Sequence, residues 1–159
     1  MANLLDIRRR IRSVKNTRQI TKAMKTVSAA KLRRAQERVF AARPYADQLK
    51  TLLANISARA ENLEHPLLAL RPEEKILMVV VTADRGLCGA FNSNVTRGAY
   101  EFMRARGKKE IQVMPVGKKS RDFFHRQGAA IFEEHIGIFS SLNFEHAKQI
   151  GARIVELYS

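Results

Sequence analysis

A seam of apolar and small side chains, spaced for one very long helix, occupies the first sixty or so residues and constrains everything that follows. From Ala35 onward, Ala35, Val39, Ala42, Ala46, Leu49, Leu53, Ile56, Ala60 and Leu63 fall at alternating steps of four and three. That is the heptad spacing that keeps one stripe of a helix against another helix. Upstream, Leu4, Ile7, Ile11, Val14, Thr17, Thr21, Met24, Ser28 and Leu32 continue it, with phase slips near Val14 and Ser28 that call for local over- or under-winding. At ~1.5 Å per residue the segment would run roughly 90 Å, too long to be tucked into a small globule. No later segment has the length to cover it, so a partner helix is expected from outside these 159 residues.

The charge sits on the same segment. Of a formal net charge of +14, residues 1–62 hold 15 Lys and Arg against Asp6, Glu37, Asp47 and Glu61, a net of +11. Arg8, Arg12, Lys15, Arg18, Lys22 and Lys25 recur at steps of three and four and so line one face. Like charges at that spacing repel by a few tenths of a kcal/mol per pair, which favours an acidic counterpart. Three readings of this run stand side by side: a solvated face, a surface for nucleic acid, and a surface for an acidic protein. Against nucleic acid, no aromatic residue for stacking occurs before Phe40, and Asn16 and Gln19 are a thin set of base readers. A basic coiled-coil nucleic-acid-binding protein remains the alternative to a protein partner.

Cys88 is the single cysteine, which rules out an internal disulfide framework and suits a reducing compartment. No run of eighteen apolar residues occurs, and the N-terminus is polar by Asp6. The expectation is a cytoplasmic protein, at most peripheral to a membrane.

Pro44 lies inside the seam, yet Val39, Ala42, Ala46 and Leu49 stay in register across it, so Arg43-Pro44-Tyr45 reads as a kink in a continuing helix. The helix is expected to end between Asn62 and Pro72, where His65-Pro66 and Arg71-Pro72 disfavour helix before each proline. Beyond it, Ile76 to Val81 is a β-branched apolar run of the kind found in strands buried on both faces of a parallel sheet. A glycine turn follows, then a helix over 93–106, a strand over 111–116, a helix over 120–127, a weak third strand over 129–134 and a helix over 144–158. Alternating strands and helices predict a layered α/β unit with a mainly parallel sheet. The fold class is therefore a long N-terminal coiled-coil helix (1–63), a linker (64–75) and an incomplete three-layer α/β, Rossmann-like domain (76–159), whose three strands look unfinished.

Enzymatic motifs do not assemble. Gly86 and Gly89 give G-x-x-G where a dinucleotide fingerprint needs G-x-G-x-x-G. Gly117-Lys118-Lys119 lacks both the upstream glycine and the Ser or Thr of a P-loop. His65, His125, His135 and His146 show no metal-ligand spacing, and Glu133-Glu134-His135 reads as a solvated turn. Cys88, beside Arg85, reads first as a buried structural cysteine and second as a reactive thiol. No catalytic, cofactor-binding or metal-binding residue is expected.

Four stretches resemble one family. Asp6-Ile7-Arg8, the run from Val14 to Met24, Arg43-Pro44-Tyr45-Ala46 and Asp84-Arg85-Gly86-Leu87-Cys88-Gly89 closely resemble the gamma subunit of F-type ATP synthases, the central rotating shaft. The resemblance covers the whole chain and the first half, or slightly more, of the family's usual length. It implies a non-catalytic subunit without cofactors that couples rotation to conformational change elsewhere. By resemblance, Arg8, Arg9, Arg12, Met24 and Lys25 match shaft positions in or at the mouth of a ring of alpha and beta subunits. Arg85, Gly86, Leu87, Cys88 and Gly89 match the turn that faces the catalytic subunits' acidic loop. Tyr45 would lie lower, towards the membrane rotor ring of c subunits and the epsilon subunit. The resemblance also implies a long C-terminal helix of the same subunit, absent here, wound against the first helix, no specific nucleic acid, and a place at the cytoplasmic face of a bacterial plasma membrane.

Overall fold

A computed structural model describes residues 3–59, 65–69, 71–107 and 110–158. The chain divides into two compact units, Met1–Leu63 and Glu64–Ser159. Helix α1 of the first unit spans Leu4–Arg59, 56 residues, and carries Pro44 inside it. The helix therefore runs through Arg43-Pro44-Tyr45 without a break. Its seam and its cations are alike open to solvent, since every described side chain from Asn3 to Ala58 is exposed. The seam positions Ala60 and Leu63 lie outside the described residues. Polar members of the seam look after themselves: the hydroxyls of Thr17 and Thr21 donate to the carbonyls of Ser13 and Thr17, both at 3.0 Å. Such back-bonding lets threonine sit in a helix without an external partner. One i,i+4 ion pair, Arg33 with Glu37 at 2.9 Å, adds a few tenths of a kcal/mol.

The second unit is built on two parallel strands, β1 (Lys75–Val81) and β2 (Glu110–Val116), paired in register from Lys75 with Glu110 to Val81 with Val116. Helices α2 (Phe91–Ala105) and α3 (Lys118–Arg126) follow β1 and β2 respectively, and α4 is Phe144–Tyr158. Side chains alternate across a strand, so Met78 and Val80 share a face with Val113. On that face Val80, Val113 and Phe124 form the core, with Val95, Ala99 and Met103 of α2 and Phe123 of α3 packed around them. Phe123 meets Tyr100 and Phe124 edge to face, at 6.0 and 5.2 Å between ring centroids.

Two expectations for the sheet fail. Strand β1 is not buried on both faces: Val80 is 3% exposed, but Val79 is 36% and Val81 50% exposed. Val95, Ala99 and Met103 of α2 and Phe123 and Phe124 of α3 pack on the Val80 face, while on the opposite face Met114 and Val116 of β2 are buried although Val79 and Val81 of β1 are not. Nor does 129–134 form a third strand; it makes isolated parallel bridges, Val113 with Ile131 and Val116 with His135. The reason is visible along β2. Val113 donates to Ala130 at 2.8 Å and accepts from Phe132 at 3.0 Å, but the next position is Pro115, which has no N–H to give. Pairing resumes at His135, whose N–H reaches Pro115 at 2.9 Å and whose carbonyl accepts from Gly117 at 2.7 Å. A regular ladder from Phe132 would have resumed at residue 134, so one extra residue interrupts it, as in a bulge.

Glu133-Glu134-His135 is not a solvated turn either. Glu133 accepts from Arg153 Nε at 2.8 Å and lies 3.4 Å from His135 Nε2, while Glu134 pairs with Arg121 at 3.5 Å. The Arg153 guanidinium, hydrogen-bonded to Glu133 and then to Glu156, is held above its ordinary pKa. These carboxylates tie α4 and α3 to the segment beside β2. Helix α4 starts on a reciprocal cap, with Asn143 Oδ1 accepting from His146 N–H at 3.2 Å and His146 Nδ1 accepting from Asn143 N–H at 3.3 Å. In its last turn the Tyr158 hydroxyl donates to the Ala69 carbonyl at 3.0 Å, and the Arg71 guanidinium lies over the Tyr158 ring at 4.9 Å.

Candidate functional site

The C-terminal ends of β1 and β2 converge on the glycine turn, and four polar side chains fix its shape. At the end of β1, Thr82 Oγ1 accepts from Ser120 N–H at 2.8 Å and donates to Ser120 Oγ at 3.0 Å, while Ser120 Oγ donates to the Gly117 carbonyl at 2.9 Å. Both residues are buried, so this closed set leaves neither hydroxyl unsatisfied. Next, Asp84 Oδ1 accepts from the backbone N–H groups of Lys118 at 2.9 Å and Gly137 at 3.1 Å. Asn92, in the first turn of α2, takes the Ala83 N–H at 2.9 Å and donates to the Arg85 carbonyl at 3.3 Å and to Cys88 Sγ at 3.0 Å. The turn is thus pinned at both ends while its middle faces out.

Gly117 makes the close approach possible. Its φ is +111°, and a Cβ there would stand 2.1 Å from the Thr82 carbonyl oxygen. No other residue fits that position without moving the backbone.

Within the turn, Leu87 has φ +64° and its side chain is 99% exposed. Left-handed backbone is unfavourable by roughly 1–2 kcal/mol for a residue with a Cβ. The unit therefore holds a large apolar side chain in water through a strained residue. Cys88 is exposed, not buried, because Asn92 holds its sulfur at the rim of the turn. The exposed residues Arg85, Gly86, Leu87, Cys88 and Gly89 come together on one surface.

The remaining site candidates lie on α1. Arg8 and Arg12 share a face one turn apart, Arg9 is rotated from them by about 100°, and Met24 and Lys25 follow roughly 25 Å along the helix. All are exposed, as is Tyr45, which succeeds Pro44. Asn92, Thr82 and Ser120 were not singled out from the sequence, and Asp84 was named in the resembling stretch but not as a residue that shapes the turn. Their partners lie up to 53 residues away, although an Asp just after a strand and an Asn at a helix start are recognisable cap residues. Among the described residues no group of three or more His, Cys, Asp and Glu is placed to hold a metal ion, and no helix is long and apolar enough to cross a membrane.

Comparison with known proteins gives a consistent picture. A family model described as ATP synthase matches residues 3–159. The ATP synthase gamma chain of Pelotomaculum thermopropionicum is 49% identical over all of this chain and 56% of its own length. That of Heliobacterium modesticaldum is 47% identical over 99% of this chain and 54% of its own length. The chain thus spans about half the length of the curated relatives it matches. Among solved structures, a chain of the Tetrahymena thermophila mitochondrial ATP synthase central stalk and c-ring superposes with a TM-score of 0.66, at 26% identity, over 85% of this chain and 58% of the other. A chain of the Euglena gracilis mitochondrial ATP synthase rotor shares the fold, with a TM-score of 0.52 at 18% identity. The nucleic-acid alternative finds no support in these matches. A long exposed helix followed by a small parallel sheet, matched from residue 3 to residue 159, places the chain in the ATP synthase family, beside its gamma chains.

Proposed function

We propose that the chain serves as the central-stalk rotor of a proton-translocating F-type ATP synthase, coupling ion-driven rotation to conformational change at catalytic sites on other subunits. Residues 1–63 are the shaft, 64–75 a linker and 76–159 part of an α/β domain. The observation that carries this reading is α1: 56 residues of helix with both an apolar seam and a basic stripe exposed along it. Its seam suits a C-terminal helix of the same subunit, and its cations suit acidic loops of the alpha and beta subunits. Arg8, Arg9, Arg12, Met24 and Lys25 would meet the ring on the shaft, and the turn Arg85–Gly89 would meet an acidic loop of a catalytic subunit. Tyr45 would face the epsilon subunit or the ring of c subunits, which puts the protein at the cytoplasmic face of a bacterial plasma membrane as a peripheral component.

The mechanism is mechanical. An asymmetric shaft touches each catalytic subunit differently at each angle, and a site's equilibrium between open and closed states shifts only by that difference in contact free energy. No bond is made or broken on this chain.

Titrating the labelled chain with an alpha-beta ring that lacks its central subunit tests the reading. Association that weakens steeply with salt, and exceeds binding to random-sequence duplex DNA at the same ionic strength, is expected. Tight DNA binding with no association to the ring would overturn it.

A further inference from the structure

The turn at the end of β1 does not stand alone. Lys119 N–H donates to the Ala83 carbonyl at 3.2 Å, and Lys118 N–H to Asp84 Oδ1 at 2.9 Å, so the first two residues of α3 are fastened by their backbones to the base of the turn. Their side chains are exposed, as is that of Arg85. None of these three cations forms an ion pair among the described residues. The contrast with the next cation on α3 is plain: Arg121 is held by Asp122 at 2.7 Å and by Glu134 at 3.5 Å. Three exposed like charges thus gather where the turn and the start of α3 are joined by backbone hydrogen bonds, beside a turn whose Leu87 is fully exposed, and together they are complementary to carboxylates.

We propose that Lys118 and Lys119 extend the turn into a single docking surface for a carboxylate-rich peptide segment, with Leu87 as its apolar anchor. The inference rests on the assignment of the turn to an acidic loop of a catalytic subunit. A compact anion such as phosphate is disfavoured here. The N–H of Lys118 that would bind it is already taken by Asp84, whose carboxylate would repel an anion seated at the start of α3. A peptide meets the cations further out, at the ends of their side chains, and can present several carboxylates around an apolar contact. Gly86 fits the same picture: it lies outside the left-handed region and a Cβ there would meet nothing within 4 Å. The turn itself does not require a glycine at 86, whereas close approach by a partner backbone would.

Titration of the chain against the alpha-beta ring without its central subunit tests this. Lys118→Gln with Lys119→Gln keeps every backbone contact, and should weaken association roughly two- to thirtyfold at low ionic strength, with the loss fading as salt rises. Arg104→Gln with Lys148→Gln removes equal charge from exposed positions on α2 and α4 and should change affinity less than twofold. Arg85→Gln reports on the turn separately. Weakening by both the lysine pair and Arg85→Gln, with the Arg104 and Lys148 pair silent, supports a shared surface. A silent lysine pair beside a weakened Arg85→Gln overturns the extension and leaves the turn assignment standing. If both are silent, the turn assignment falls and the surface with it, and equal weakening by the distant pair would reduce the effect to net charge.

Discussion

Helix α1 and the α/β unit solve opposite problems. On α1 every backbone bond is local, polar side chains such as Thr17 and Thr21 bond within the helix, and leucines and valines stand in water from end to end. In the second unit the decisive contacts are distant in sequence: Thr82 with Ser120, Asp84 with Gly137, Arg153 with Glu133. The first region leaves its apolar side chains uncovered among the described residues, whereas the second gathers part of its own into a core. The turn at 84–89 combines both habits, with its ends locked inward and its apolar tip outward.

Four substitutions would break or sharpen this contrast. The largest effect is expected from Phe124→Ala, which empties the centre of the core and should cost about 3–5 kcal/mol. Thermal melting followed by circular dichroism should show the α/β unit lost first while the signal of α1 persists; simultaneous loss would mean the two regions are not separately stabilised. Gly117→Ala comes next, at about 3 kcal/mol or more, from the clash with the Thr82 carbonyl and the left-handed backbone. Denaturant titration reads it, and a change under 1 kcal/mol would show that the strand ends can separate freely. Asp84→Ala should cost about 1–2 kcal/mol by orphaning two N–H groups. Hydrogen exchange should speed up at Lys118 and Gly137 in particular, and unchanged exchange there would remove Asp84 as the pin. The smallest effect belongs to α1: Leu53→Ala should shift the stability of the chain alone by no more than about 0.5 kcal/mol. A loss of 2 kcal/mol would mean that the seam has cover within the chain.

The elements that could be read from the residues are those whose signal is periodic. Heptad spacing announced α1, and the runs ending in Val81 and Val116 announced the strands within one residue of their ends. Helix α4 was expected at 144–158 and is found there. What stayed hidden depends on pairs of residues far apart in the chain. Ile131 looks like a strand residue, and only the register against β2 reveals that Pro115 withholds a hydrogen bond and that an extra residue follows. Cys88 has the composition of a buried residue, but its exposure is decided by Asn92 one helical turn later. The β-branched run in β1 looked doubly buried because local hydrophobicity cannot count how many faces the neighbouring helices cover. For the candidate site, the turn was named from its resemblance, whereas the exposure of Cys88 and the inward residues that shape the turn were not legible.

The contact between Tyr158 and Ala69 also carries a consequence for biosynthesis. Its partners are 89 positions apart, so the segment at 65–69 emerges from the ribosome long before its hydrogen-bond donor exists. At ~5–20 residues per second the delay is about 4–18 s, far longer than the microseconds in which a helix forms. Helix α1 can be complete, with its seam open, throughout that interval. The nascent chain therefore carries the exposed apolar seam of α1 for seconds before the α/β unit can close.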